Sequence, residues 1–235
     1  FARIFAIFSI KHHEFDKKHH KWKARVVFGG DNIKTAGGDI ALFQDVGTTP
    51  STMVSARACM AISCMYPGMK RLQSDCLQAF TQAKMDPNLP TYISLPKSWW
   101  PEEWHKRGLK GPVCPLRLAL YGHPKAGDLW HEKLESVLIK NGFKTIEEWQ
   151  SIYYCHMTVA GSNPSGATEL FLILVYVDDL LIFGSDNIKP IIDQIRAEIE
   201  MDDPGPIDQY LGCGHRIAEV NGTTHIEFDM SAYLK

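Results

Sequence analysis

The stretch that most constrains this chain is residues 169–184, ELFLILVYVDDLLIFG, where Asp178 and Asp179 interrupt a run of apolar, strand-forming residues. Runs of this kind, rich in Leu, Ile, Val, Phe and Tyr and too short for separate helices, read as buried strands. An ionised carboxylate inside such a run must be paired or bind a cation, because burying it alone is costly. A tight hairpin resolves the conflict: a strand over 170–177, a turn at the two aspartates, and a strand over 180–184. Aspartate tolerates turn conformations, so the turn would lift both carboxylates to the sheet edge, toward water or a metal. A plain surface hairpin with a solvated tip remains the bland alternative. A receiver-domain arrangement fails on order, since about 170 residues precede the pair and a second apolar strand follows at once.

Composition excludes several classes. With 235 residues, 45% of them hydrophobic and 22% charged, the chain can bury a substantial core as one large domain or two subdomains. Nothing reaches the roughly 18 apolar residues that span a bilayer, and the opening FARIFAIFSI reads as a strand rather than a signal peptide. The six cysteines (59, 64, 76, 114, 155 and 213) form no CxxC pair, so buried reduced thiols are expected. A net charge of −2 argues against a surface that binds nucleic acid everywhere. Lys11 to Arg25 is the exception, a local +4 with His12, His13, His19 and His20 interleaved. Such a run is either a solvated hairpin or a basic arm for phosphates. Adjacent histidines point to opposite faces of a strand, which argues against metal binding there.

Along the chain, residues 4–10 and 21–28 predict a hairpin and 29–47 a loop. Thr49 as N-cap and Pro50 at the first helical position predict a helix ending near 66. Its apolar face would comprise Val54, Ala58, Ala61, Ile62 and Met65. Asp75 closes a short strand. Residues 91–115, with Trp99, Trp100, Trp104 and prolines 96, 101, 112 and 115, predict an irregular segment whose tryptophans pack together. Residues 116–130 begin as a strand, break at Gly122-His123-Pro124 and enter a helix carrying Trp130, Leu134 and Leu138, stopped at Asn141-Gly142. A strand at 151–159 precedes the aspartate hairpin. Asp186 would cap a helix bearing Ile188, Ile191, Ile192, Ile195 and Ile199, with Pro190 in its first turn. A last hairpin turns at Asn221-Gly222, and a further helix would begin at Ser231. Strands mostly neighbour strands, so the fold class is α+β, an antiparallel sheet with helices on one face.

Asp75, Asp178 and Asp179 thus form an oxygen-rich constellation that suits Mg²⁺, which keeps positions open for substrate phosphates. At these residues the sequence resembles a reverse transcriptase of the Ty1/copia class of LTR retrotransposons. Tyr176-Val177-Asp178-Asp179 matches the YxDD signature, and Asp75 with Phe80 matches the DVKTAF-type segment. Lys23-Ala24-Arg25-Val26-Val27 is similar to the KARLVA-type strand. Leu120-Tyr121-Gly122 with Trp130 resembles the LYGLKQAPRQW-type segment, and residues 201–212 resemble the MKDLG…FLG stretch. The blocks are collinear over almost the whole chain.

The resemblance implies a right-hand polymerase core with a ferredoxin- or RRM-like antiparallel palm sheet backed by helices and a truncated thumb. One domain would span 1–235, with fingers at 1–50 and 84–120, palm at 51–83 and 121–220, and the palm end and thumb start at 221–235. It implies RNA-directed DNA polymerase activity with two Mg²⁺ ions, or Mn²⁺ in their place, held by Asp75, Asp178 and Asp179. Phe80 would be the gate against a ribonucleotide 2′-hydroxyl. Lys23 and Arg25 would reach the triphosphate, Tyr176 and Val177 the primer terminus, and Leu211 and Gly212 the primer grip. Template, primer and dNTPs are the implied partners, together with other segments of a polyprotein, RNase H among them, in a cytoplasmic virus-like particle. The chain departs from the family where Lys125-Ala126-Gly127 stands for QAP, replacing the nucleotide-side Gln with Lys125, and where Gly29-Gly30 removes a basic residue. The alternatives are an inactive or domesticated nucleic-acid-binding copy and a metal-dependent phosphohydrolase.

Overall fold

The computed structural model describes residues 1–11, 16–41, 51–158 and 168–231. In chain order the strands are β1 (Ala2–Lys11), β2 (Lys21–Phe28), β3 (Lys70–Asp75), β4 (Tyr92–Ser94), β5 (Val113–Pro115), β6 (Lys144–Ile146) and β7 (Trp149–Thr158). They continue as β8 (Thr168–Tyr176), β9 (Asp179–Gly184), β10 (Gly205–Pro206), β11 (Gln209–Tyr210), β12 (Cys213–Val220) and β13 (Thr223–Asp229). The α-helices are α1 (Met53–Met65), α2 (Glu102–Lys106), α3 (Ala126–Lys140) and α4 (Lys189–Arg196). This mixed α+β chain divides into two compact units, Phe1–Gly47 with Phe80–His131, and Thr48–Ala79 with Glu132–Lys235. No helix among the described residues is long and apolar enough to cross a membrane.

In the first unit a sheet of order β2-β1-β4-β5 is built on the β1–β2 hairpin, paired from Ile4↔Phe28 to Lys11↔Lys21. Ala2, Ile4, Phe28, Ile33 and Ile93 form its core. The predicted strand from 116 to 121 does not form. Pro115 ends β5, and beyond it the backbone makes single bonds, Leu116 N–H to Thr91 O (2.8 Å) and Ala119 N–H to Ala83 O (2.9 Å). Trp100 and Trp104 meet edge to face at 6.3 Å, and the Trp100 indole donates to Leu95 O.

In the second unit six strands pair antiparallel in the order β10-β3-β9-β8-β7-β6. Leu172, Leu174, Leu181 and Phe183 share one face and pack with Ala56, Cys59 and Met60 of α1. Phe171, Ile173 and Val175, on the other face, are buried as well. The sheet is therefore covered on both sides here, not on the one side predicted, which is why the sequence runs apolar without alternation. The three-residue strand β6 was not foreseen.

Helix α1 departs from its predicted start and face. Thr49 and Pro50 lie outside the described residues, and the cap is Thr52. Its Oγ1 accepts from Ser55 N–H (3.1 Å) while Ser55 Oγ accepts from Thr52 N–H (2.8 Å), a reciprocal capping box. The buried stripe is Ser55, Ala56, Cys59, Met60 and Ser63, whereas Val54 and Met65 are exposed. Ser63 tolerates burial because its Oγ donates to Met60 O (2.6 Å) and accepts from Arg71 Nε (2.7 Å).

Other boundaries follow the sequence closely. Leu134 and Leu138 of α3 are buried, and Gly142 takes φ +87° just beyond the helix end. The isoleucines of α4 and its flanks are buried, although Ser185, not Asp186, provides the cap. Asn221 and Gly222 both take positive φ in the two-residue β12–β13 turn. The helix start expected at Ser231 and the His12-His13 pair fall largely outside the described residues. All six cysteines are free thiols, with 59, 76, 155 and 213 buried, 114 half-buried and Cys64 exposed.

Candidate active site

The β8–β9 hairpin turns one residue earlier than predicted. Tyr176 pairs with Asp179, so Val177 and Asp178 form the turn and Asp179 opens β9. Val177 takes φ +56°, a left-handed conformation that costs a β-branched residue and persists only where its surroundings enforce it. The two aspartates consequently differ: Asp178 is carried by the turn and Asp179 by the sheet.

Antiparallel pairing of β3 with β9 sets Asp75 directly opposite Asp179. The neighbouring backbone pins this edge. Cys76 N–H donates to Asp178 O (2.7 Å), Asp202 N–H to Asp75 O (3.0 Å) and Leu77 N–H to Glu200 O (2.9 Å). Ser74 Oγ donates to Asp202 O (2.7 Å). Residues 200–202 thus clamp the end of β3. Sequence reading missed this role, for which the break at Asp202-Asp203-Pro204 was the available signal.

Burial, and then the charges of Asp178 and Asp75, raise the Asp179 carboxyl from 3.8 to about 6. The buried Cys76 thiol is pushed up to about 12, by burial first and then by the same three acids. Three oxygen donors that repel one another suit a hard cation, whose charge would relieve that repulsion. Among the described residues, however, no three His, Cys, Asp or Glu side chains are gathered as a ready metal-ligand group. The carboxylate chemistry fits a hard cation, although the three side chains do not converge as a ready site.

The shift carries a testable sign. A folded-state value above the unfolded one means that ionised Asp179 weakens the fold. This penalty is absent below about pH 4, grows as pH rises from about 4 to 6, and is complete above that window. In metal-free buffer Asp179→Asn is expected to raise the urea midpoint at about pH 7.5 and to flatten its pH dependence between those values. A lowered midpoint would show that the surroundings favour the carboxylate instead.

The remaining predicted residues fall into two sets. Tyr176 is half-buried and Val177 exposed in the second unit. Leu211 (φ +48°) and Gly212 (φ +78°) form the β11–β12 turn there, beside buried Tyr210, whose hydroxyl meets Ser51 Oγ at 3.2 Å. Lys23, Arg25, Phe80 and Lys125 belong to the first unit. Lys23 and Arg25 are two apart on β2 and so share a face. Half-buried Phe80 lies against Tyr121, with ring centroids 4.6 Å apart. Lys125 donates its backbone N–H to His123 Nδ1 (3.2 Å). His123 is itself buried, and burial and Lys125 lower it to about 4, so its ring is neutral at physiological pH. The sequence quoted Tyr121 as part of a motif and His123 as part of a break, but assigned neither a contact.

Gly30 has a steric reason to be glycine. A Cβ there would lie 2.1 Å from Gly122 O, and one at Gly122 would lie 2.3 Å from Phe28 O. This accounts for the second glycine of the 29–30 pair, whereas a Cβ at Gly29, where the family pattern has its basic residue, would meet Arg3 O at 3.1 Å and the side chains of Arg3 and Asp31.

Residues 4–234 match the family model described as reverse transcriptase (RNA-dependent DNA polymerase). The chain is 26% identical over 201 residues to the retrovirus-related Pol polyprotein from transposon TNT 1-94 of Nicotiana tabacum, covering 84% of this chain and 14% of the relative. It is 26% identical over 204 residues to the Pol polyprotein from transposon RE1 of Arabidopsis thaliana, covering 86% and 12%. The figures for transposon RE2 of the same plant are 25% over 195 residues, 82% and 12%. The chain thus spans about an eighth of the length of these polyproteins. With almost every residue inside the matched region, the chain belongs to the reverse transcriptase (RNA-dependent DNA polymerase) family, in its Ty1/copia-type retrotransposon branch.

Proposed function

We propose that this domain is an RNA-directed DNA polymerase that joins a dNTP to the 3′-hydroxyl of a DNA primer on an RNA or DNA template. The observation that carries the reading is Asp75 facing Asp179 across β3 and β9, with Asp178 on the adjoining turn. In this reading the three carboxylates hold two Mg²⁺ ions, or Mn²⁺ in their place. Bound cations would supply Lewis acidity at the α-phosphate and charge to stabilise the attacking and leaving oxygens. The protein's own share is positioning and charge, with no covalent step.

Lys23 and Arg25, on one face of β2, offer a point charge and a planar fork to the triphosphate. Phe80 meets the sugar at its 2′ position. Tyr176 and Val177, on the hairpin that carries the aspartates, flank the primer terminus, and the Leu211-Gly212 turn supports the primer strand. The proposed fingers, 1–50 and 84–120, correspond to most of the first unit and the proposed palm, 51–83 and 121–220, to most of the second, although residues 80–83 and 121–131 cluster with the first. The match to polyproteins supports continuity with further segments, among which this reading expects RNase H.

Primer extension on poly(rA)/oligo(dT) with Mg²⁺ tests the reading, and incorporation of dTMP is expected. Nucleic-acid binding without extension would favour an inactive binding domain, and phosphate release without extension a phosphohydrolase. Lys125→Ala tests the departure from the family pattern. It is expected to raise the dNTP KM several-fold, roughly the effect of losing one charge-assisted contact, with little change in template affinity. Equal weakening toward template and dNTP would assign Lys125 to a general basic surface.

A further inference from the structure

We infer that Tyr121 is a positioning residue for sugar selection, its ring holding the Phe80 side chain so that Phe80 acts as a fixed barrier. The inference rests on the proposed reading of Phe80 as the sugar gate. A steric gate discriminates only if displacing it costs more than the clash it imposes. Phe80 sits in a short turn of 3-10 helix, Ala79–Gln82, and is only half-buried, so it is not encased as a core residue would be. Tyr121 lies against its ring, at 4.6 Å between centroids and 55° between planes, a tilted contact in the range where aromatic pairs attract.

Tyr121 is itself anchored. Its carbonyl accepts from Phe28 N–H at 2.7 Å. The next residue, Gly122, takes φ +87°, and the close approaches of Gly30 to Gly122 and of Gly122 to Phe28 leave no room for a Cβ at either glycine. On the far side of the turn His123 packs its ring 4.8 Å from Phe28 and reaches Thr91 Oγ1 at 3.2 Å through Nε2. Its Nδ1 accepts from Lys125 N–H, so the proton resides on Nε2 and the Thr91 hydroxyl accepts it. The end of β2 and the 121–125 turn therefore form one interlocked backbone. The same β2 carries Lys23 and Arg25, so the proposed triphosphate contacts and the sugar barrier share a single support.

Primer extension by the full chain, measured as kcat/KM for matched rNTP and dNTP, tests the role. The variants are Tyr121→Leu, Tyr121→Phe, Phe80→Val and the double variant Phe80→Val with Tyr121→Leu, each checked by thermal melting. Tyr121→Leu is expected to raise the rNTP/dNTP ratio about threefold or more, since it removes the ring but keeps most of the volume. Tyr121→Phe is expected to keep the parent ratio, because the ring and not the hydroxyl meets Phe80. The double variant should match the ratio of Phe80→Val alone, the non-additivity expected of two residues acting through one contact. If Phe80→Val raises the ratio and Tyr121→Leu alters only rate or stability, Tyr121 is ordinary packing and the inference is overturned while the gate stands. If Phe80→Val leaves the ratio unmoved, or the parent chain does not extend primers, the gate reading fails and this role with it.

Discussion

Asp178→Asn is expected to lower primer extension at least about 100-fold, a loss as large as removing even an outer-shell partner of a metal site can bring, with the fold retained. The side chain stands on the hairpin turn, half-buried, while the structural bond at this residue is made by its backbone carbonyl to Cys76 N–H. Asparagine keeps that carbonyl and nearly the same shape, and it removes one of the charges that raise the neighbouring Asp179 carboxyl. The folded state therefore loses no partner of consequence. Nucleic-acid affinity should fall far less than catalysis, because basic contacts to phosphate dominate it. Circular dichroism and a template-binding titration alongside the extension assay separate these effects. Full extension by the variant would sink the assignment of the site.

Phe80→Val is expected to raise rNTP over dNTP incorporation by a factor of about ten or more, which corresponds to a clash of roughly 1.4 kcal/mol or above. The chemistry at the phosphate is the same for both substrates, so discrimination must come from a group that meets the 2′ position. Phe80 has the exposure for this, being half-buried and braced on one side by Tyr121. A phenylalanine serving only the core would instead lose about 1–3 kcal/mol of stability and leave the ratio unchanged. Kinetics with matched rNTP and dNTP on one template, together with a urea titration, distinguish the two outcomes.

Much of the fold was legible because it is local. The β12–β13 turn needs positive φ at two residues, and Asn221-Gly222 supplies it within the turn itself. The end of α3 at Asn141-Gly142 and the apolar stripe of α4 are set by neighbours within a few residues. The aspartate hairpin was legible for the same reason, as an acidic interruption between two apolar strands. Its register was not. The turn falls at Val177-Asp178 because Tyr176 pairs with Asp179 across the hairpin, and the register that sets Asp179 opposite Asp75 joins segments far apart in the chain.

The sequence by itself determined the hairpin, the C-terminal ends of α1 and α3, the acidic residues and, through five collinear motifs, the family. Tertiary structure alone decided which faces are buried and which side chains meet. Periodicity pointed to Val54 and Met65 as the inner face of α1, yet the buried stripe contains Ser55 and Ser63 because hydrogen bonds, one of them from Arg71 on β3, satisfy their hydroxyls. Gly30 read only as half of a glycine pair, and folding brings Gly122 O to 2.1 Å from where its Cβ would lie. Tyr121 could be quoted as a motif letter, but its contact with Phe80 exists only after the chain has folded back on itself. Local propensity is carried by adjacent residues, whereas burial and side-chain contact depend on partners that chain order does not specify.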